Sequence, residues 1–192
     1  MLDYDAEAPR YDETRGGQAR AEAAADAIER LLPAAGRTVL DVACGTGIVT
    51  ARLVRPGRTV YGTDSSQGML ALAARRLPGR VARGDAASLP FRTASLDAVV
   101  MIWLLHLLAD AAPAITEAAR VLRPGGALVT TVDKNAGAPG RSATDRFTLV
   151  AEQAASHALA QSGETRFTGI GQGFGGRDPV YRLVAFSAGS RR

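Results

Sequence analysis

Between residues 38 and 132 the sequence swings repeatedly from a short β-rich run to a helix-period stretch, with only a few residues between. Strands alternating with helices on short connections predict parallel pairing, because a right-handed crossover carries each helix back over the sheet. β-rich runs fall at 38–42, 58–63, 81–82, 96–102 and 127–132. Helix-period stretches fall at 17–32, from 48 to about 54, at 66–77 and at 110–122, where Pro113 sits in a tolerated first-turn position. The fourth run, Leu-Asp-Ala-Val-Val-Met-Ile, is apolar almost throughout, which suits a strand covered on both faces. Beyond it the pattern changes. A loose stretch at 134–143 precedes a helix near 144–161 and two strand-like runs at 165–170 and 180–186, joined by a loop holding Gly171, Gly173, Gly175 and Gly176. These last two runs read as an antiparallel pair closing the sheet edge. The expectation is an α/β fold: a doubly wound, mostly parallel seven-stranded sheet with a C-terminal antiparallel strand pair.

With 192 residues, 46% hydrophobic and 22% charged, the chain fits one domain. It divides into an N-terminal arm and helix (1–35), a core (36–133) and a C-terminal helix with edge strands (134–192). The longest apolar stretch, 98–109, is broken by His106 and falls short of the ~20 residues of a membrane span. The first residues are acidic, without the basic and apolar regions of a signal peptide, so a cytoplasmic location is expected. Cys44 is the sole cysteine, which excludes a disulfide framework and a cysteine-ligated zinc site; no metal is expected. Net charge is +4, yet residues 1–32 hold 8 acids against 4 arginines. An acidic front and a mildly basic body do not make the basic stripe of a nucleic-acid binder.

In an open α/β sheet a ligand sits at the carboxyl ends of the strands. Gly45 and Gly47 follow the first strand, where the backbone can turn tightly and lie close to a ligand. Asp64 ends the second strand, placed to accept both hydroxyls of an adenosine ribose. Asp85 ends the third, where an acceptor can meet an adenine amino group. A dinucleotide fingerprint would need a third small residue where Thr50 stands, and no phosphate-binding Gly-Lys-Ser/Thr loop exists. Asp41, just before the glycine turn, would repel a pyrophosphate and attract an ammonium group. The ligand these residues call for is an adenosine with a cationic amino-acid arm and no phosphates, which describes S-adenosylmethionine.

The stretch Val39-Leu40-Asp41-Val42-Ala43-Cys44-Gly45-Thr46-Gly47 resembles the glycine-rich first motif of class I S-adenosylmethionine-dependent methyltransferases. Gly62-Thr63-Asp64-Ser65-Ser66-Gln67-Gly68-Met69-Leu70 resembles their ribose-binding stretch, and Gly84-Asp85-Ala86 with Leu89-Pro90-Phe91 their adenine-side motif. Arg120-Val121-Leu122-Arg123-Pro124-Gly125-Gly126 resembles the helix-turn before the fifth strand. The resemblance runs over residues 37–133 and is nearest to the small-molecule branch that includes ubiquinone- and menaquinone-type C-methyltransferases. It implies a Rossmann-like fold, with S-adenosylmethionine as cofactor and S-adenosylhomocysteine as product. It also implies roles by position: Asp64 on the ribose, Asp85 and Ala86 at the adenine, Ser65 and Met69 flanking the adenosine. The backbone of Ala43, Cys44, Gly45, Gly47 and Met101 would line the methionine arm. Tyr11-Asp12-Glu13-Thr14-Arg15-Gly16-Gly17 resembles the arm that folds over the cofactor, with Tyr11 or Arg15 near the methionine carboxylate.

His106 is the candidate general base, able to take a proton from a hydroxyl, amine or acidic C–H; its competing role is to steady the loop from within. Trp103 either lines the acceptor pocket or fills the core. Cys44 reads as a small side chain at a tight turn. The expected function is methyl transfer to a small-molecule acceptor by in-line displacement. Two alternatives remain open: an enzyme or scaffold that binds S-adenosylmethionine without transferring its methyl group, and RNA or protein methylation. Oligomeric state and acceptor have no motif in the sequence.

Overall fold

The computed structural model describes residues 3–132, 143–171 and 177–189. Seven strands form one sheet: β1 (Thr38–Val42), β2 (Thr59–Asp64), β3 (Val81–Arg83), β4 (Leu96–Met101), β5 (Leu122–Thr131), β6 (Leu159–Thr168) and β7 (Val180–Ala188). Their order is β3-β2-β1-β4-β5-β7-β6. The first five pair in parallel; β7 lies antiparallel to both β5 and β6. The sheet is therefore doubly wound and mostly parallel with a C-terminal antiparallel pair. Strand order reverses between β1 and β4, so the crevice a ligand would use opens at their carboxyl ends.

Alternate residues of the central strands feed two cores. Leu40 and Val42 of β1, Val99 and Met101 of β4 and Leu128 of β5 face one. There α5 (Ala112–Val121) and α6 (Ala143–Ser156) cover them with Ile115, Ala118, Val121, Val150 and Ala154. Val39, Ala98, Val100 and Val129 face the other, under the alanine-rich stripe Ala21, Ala24, Ala25 and Ile28 of α3 (Gly17–Glu29). This two-sided burial explains the unbroken apolar run of β4. A fourth helix, α4 (Gln67–Arg76), is capped by Ser66, whose Oγ accepts from the Met69 N–H at 3.1 Å.

Three local expectations differ from the structure. The turn after Gly47 makes only a short 3-10 segment, Thr50–Leu53, instead of a helix to residue 54. Thr50 there spends its hydroxyl on Asp41, and Arg55-Pro56-Gly57 stops the chain. The late helix ends at Ser156, not 161, and β6 begins at Leu159, six residues before the expected strand start. Ala158, at φ 58°, reverses the chain between them. Of the stretch expected to be loose at 134–143, residues 134–142 lie outside the described residues and Ala143 already begins α6; most of the glycine loop, 172–176, lies outside them too.

Before α3, two single-turn helices, α1 (Tyr4–Glu7) and α2 (Tyr11–Thr14), carry the N-terminal arm across the carboxyl ends of the strands. Two carboxylates fasten it. Asp5 Oδ1 accepts from Ser66 Oγ at 2.5 Å and from the Gly68 N–H at 2.7 Å. Asp12 accepts from Thr46 Oγ1 at 2.6 Å and from Arg76 at 2.7 Å. Gly16 and Gly17, with φ of 81° and 49°, make the left-handed bend into α3. A Cβ on Gly16 would collide with the Ile170 carbonyl, so this bend is seated against the end of β6.

Candidate active site

Beneath the arm lies a cavity of about 670 Å³, within the range of small-molecule sites. It opens at the reversal of strand order. Both strands that flank it end in a non-glycine residue of left-handed backbone, Ala43 (φ 58°) after β1 and Trp103 (φ 55°) after β4. Such strain persists only where the surroundings impose it, and it gathers at functional sites.

Asp64 forms one end. Its Oδ2 accepts from the Gly45 N–H at 2.8 Å and its Oδ1 from the Ser66 N–H at 2.9 Å, so the carboxylate is held rigidly with further lone pairs open to a ligand. Gly45 takes its bend at φ 57°, and Gly47 (φ 74°) packs against Ala73 of α4, where a Cβ would lie 3.1 Å from the alanine methyl. Cys44 is buried beside Gly62, where a Cβ would come within 2.8 Å of its sulfur. Burial pushes its thiol well above the ordinary range, which leaves it without nucleophilic character.

Two opposite charges in the cavity lack a matching partner. Asp41, 2% exposed, receives Thr50 Oγ1 on Oδ2 at 2.6 Å, while its Oδ1 has no hydrogen-bond partner among the described residues. Burial pushes its carboxyl up to about 7, against the Thr50 hydrogen bond and aided by Asp64. Arg20 of α3 is 4% exposed, and among the described residues no carboxylate pairs with it. Its Nη1 donates to the Arg15 carbonyl at 3.0 Å, its Nε is unpartnered, and burial draws its guanidinium below the usual value, with Tyr11 working the other way. A buried arginine does not give up its proton, so an unpaired one calls for an anion.

The remaining wall is aromatic and aliphatic: Tyr4, Tyr11, Ile48, Leu104 and Leu107 with His106 among them. Tyr4 and Tyr11 rings pair across 6.2 Å, and Arg15 lies over Tyr11 at 5.6 Å.

Of the residues singled out in the sequence, the cavity brings together Tyr11, Arg15, Asp41, Ala43, Cys44, Gly45, Asp64, Ser65, Met69 and His106. Four stand outside its lining. Gly47 backs the turn. Met101 is fully buried, and its carbonyl accepts from Thr130 Oγ1 at 2.8 Å. Asp85 is exposed and turns onto the Ala87 N–H at 2.9 Å, with Ala86 beside it. Sequence reasoning missed Arg20, Tyr4, Asp12 and Thr46. A signal for Arg20 existed: it falls one helical turn before Ala24, a charge on the apolar stripe of α3.

The donor set fits S-adenosylmethionine on the structure's own terms. Asp64 is a rigid carboxylate with acceptor capacity left for hydroxyl donors, and Asp41 Oδ1 and Arg20 Nε on the same lining have no hydrogen-bond partner among the described residues. Among the described residues no group of three or more His, Cys, Asp or Glu could hold a metal, and no helix is long and apolar enough to cross a membrane.

Comparisons with known proteins point the same way. Residues 40–130 match the family model described as a methyltransferase domain. An uncharacterized methyltransferase of Mycobacterium tuberculosis is 47% identical over 104 residues, 54% of this chain and 42% of that one. A demethylmenaquinone methyltransferase of Corynebacterium kroppenstedtii is 42% identical over 100 residues, 52% of this chain and 43% of its own. The matched stretch thus spans about two-fifths of these relatives. Among solved structures, the 4+2 cyclase SpnF shares the fold with a TM-score of 0.75 at 22% identity, covering 98% of this chain and 95% of that one. Motifs, sheet order and the matched residues 40–130 make this chain similar to the class I S-adenosylmethionine-dependent methyltransferases.

Proposed function

We propose that this protein binds S-adenosylmethionine in the arm-covered cavity and transfers its methyl group to a small-molecule acceptor. One observation carries the reading: Asp41 Oδ1 and Arg20 Nε, buried atoms of oppositely charged groups, have no hydrogen-bond partner among the described residues, on the wall of a cavity that also holds the Asp64 carboxylate. A zwitterionic arm attached to an adenosine satisfies all three at once. When bound, the cofactor supplies an electrophilic methyl on a sulfonium, which needs little covalent help from the protein.

The chain's residues then have separable tasks. Asp64 accepts the ribose hydroxyls while Gly45 and Ser66 fix its orientation. Arg20 holds the carboxylate and Asp41 the ammonium. Arg15, which with Tyr11 was expected near the carboxylate, lines the cavity, lies over the Tyr11 ring at 5.6 Å and gives its backbone carbonyl to Arg20. Tyr4 and Tyr11, drawn down by the Asp5 and Asp12 contacts, exclude water above the reacting atoms. Burial and the neighbouring Tyr11 hold the Tyr4 phenol above its ordinary value, so it stays a neutral hydrogen-bond donor. Leu104 and Leu107 supply an apolar bed for an acceptor, and a ring nitrogen of His106 takes the acceptor's proton where it has one to lose.

The small-molecule assignment draws on the arm-covered, largely apolar cavity and on the demethylmenaquinone methyltransferase among the relatives. The test is incubation with methyl-labelled S-adenosylmethionine and separate pools of hydroxylated aromatics, small amines, RNA and protein. Label entering a small-molecule pool is expected. Label confined to RNA or protein would refute the acceptor class. Cofactor binding with no label in any pool would favour the reading in which the methyl is never transferred, as the fold shared with a cyclase allows.

A further inference from the structure

The cation at the amino-acid end of the cavity does not hold itself in place. Arg20 makes one hydrogen bond to a backbone carbonyl and one to Tyr11, and has no carboxylate among the described residues to fix its plane. What fixes it is Trp103. The guanidinium carbon lies 3.4 Å from the centre of the indole, a distance reached only by face-on stacking. Stacked so, the N–H groups point outward from the edge of the guanidinium, the arrangement that a carboxylate takes up with two parallel hydrogen bonds.

The indole is itself constrained on every side. The Trp103 backbone is held at φ 55°, where only an imposed geometry keeps a bulky residue, and its main-chain N–H donates to Thr131 Oγ1 at 2.8 Å. Phe167 of β6 and Tyr181 of β7 meet the ring edge-on at 5.8 and 5.6 Å and each other at 5.3 Å. Trp103 is half-buried: it packs against the core beside Phe167 and Tyr181 and also lines the cavity. The C-terminal strands, which contribute no residue to the cavity lining, thus reach the site through this box.

We propose that Trp103 is a positioning residue for cofactor selection: it holds Arg20 flat at the amino-acid end of the cavity, so that recognition of the zwitterionic arm depends on the aromatic box of β6 and β7 while recognition of the adenosine does not. This rests on the cofactor assignment above. Two ligands separate the contributions. S-adenosylhomocysteine carries the arm; 5′-methylthioadenosine keeps the adenosine and sulfur and lacks it.

The experiment is calorimetric titration of both ligands into the full chain and into Trp103→Leu and Trp103→Phe. The wild type binds S-adenosylhomocysteine at least tenfold tighter than 5′-methylthioadenosine. Trp103→Leu loses about tenfold for the first and stays within twofold for the second, which also shows that the variant is folded. Trp103→Phe, which keeps an aromatic face, recovers most of the difference. Equal loss of both ligands in the two variants, or no loss of either, overturns the positioning role. A wild type that binds both ligands equally overturns the Arg20 assignment and this proposal with it. A wild type that binds neither brings down the cofactor reading itself, a different failure with a different signature.

Discussion

At the residue scale, the site's energetics rest on groups whose charge is held without a matching charge. Asp64 is the most directly testable. Replacing it with alanine removes charge-assisted hydrogen bonds to a ribose, which weakens S-adenosylhomocysteine binding by about 1.5–3 kcal/mol, roughly 10- to 150-fold in Kd. An unchanged Kd would remove Asp64 from the site. Asp41 makes a pH-dependent prediction. Its folded pKa, about 7, lies above the roughly 3.9 of an unfolded aspartate, so the folded chain binds its proton more tightly. The stability it contributes is complete below about pH 4 and is lost as pH rises through about 7. Asp5, Asp97, Glu117 and Glu164 are all held below the usual carboxylate range, so their contributions fade only as pH falls below about 4 and leave the window clear. The melting temperature of the ligand-free protein therefore declines from pH 4 to 7. Asp41→Asn flattens that decline and raises the melting temperature at pH 8 by about 2–4 °C, as for ~1 kcal/mol in a chain of this size. S-adenosylhomocysteine affinity moves the other way, strengthening toward pH 7 as Asp41 ionises. A melting curve indifferent to pH in both proteins would contradict the burial of this carboxyl. Asp41 and Asp64 were legible in the sequence because strand ends fix their positions. Arg20 left only the mark of a charge one turn before Ala24 on the apolar stripe of α3; that it lacks a carboxylate partner appears only in the fold.

At the scale of elements, the arm is the part whose closure must be reversible if ligands are to exchange. Its hold is concentrated in two carboxylates. Asp5 is anchored by the Ser66 hydroxyl and the Gly68 N–H, and Asp12 ties α2 to both Thr46 in the glycine turn and Arg76 on α4. Arg76 also donates to the Thr46 carbonyl at 2.6 Å, so arm, turn and helix share one network. Asp12→Ala should speed dissociation of S-adenosylhomocysteine about five- to tenfold, the loss of one charge-assisted contact, with a smaller effect on its association. Stopped-flow displacement measures this, and an unaltered off-rate would show that the arm does not gate exchange. The arm resembled a covering segment from residues 11–17, yet its latch partners lie 34 to 64 positions away in sequence and could not be read from it. Strands β1, β2 and β4 and the stretch 127–131 of β5 were legible because both faces are buried and the apolar run declares it. The start of β6 was not: Leu159 to Glu164 reads as polar, since that edge strand buries little beyond Leu159.

For the whole molecule, the charge asymmetry acquires a purpose. The acidic first 32 residues pair with the arginines of the body: Asp12 with Arg76, Glu22 with Arg52, Glu29 with Arg55 and Arg58. The sequence displayed the imbalance and withheld the pairing, which folding alone creates. The fold class followed from strand–helix alternation, and the position of the site from the reversal of strand order. The acceptor's identity did not, because the apolar wall near His106 carries shape and no motif. Ligand binding should be felt globally: S-adenosylhomocysteine at 100 times its Kd stabilises by about 2.7 kcal/mol and raises the melting temperature by roughly 5–10 °C. The central claim is that this cavity takes an adenosine with a zwitterionic arm and no phosphates. Calorimetric titration with S-adenosylmethionine, S-adenosylhomocysteine and NAD tests it most directly. Micromolar binding of the first two at one site per chain and none of NAD is expected; binding of NAD, or of none of the three, would refute this cofactor site.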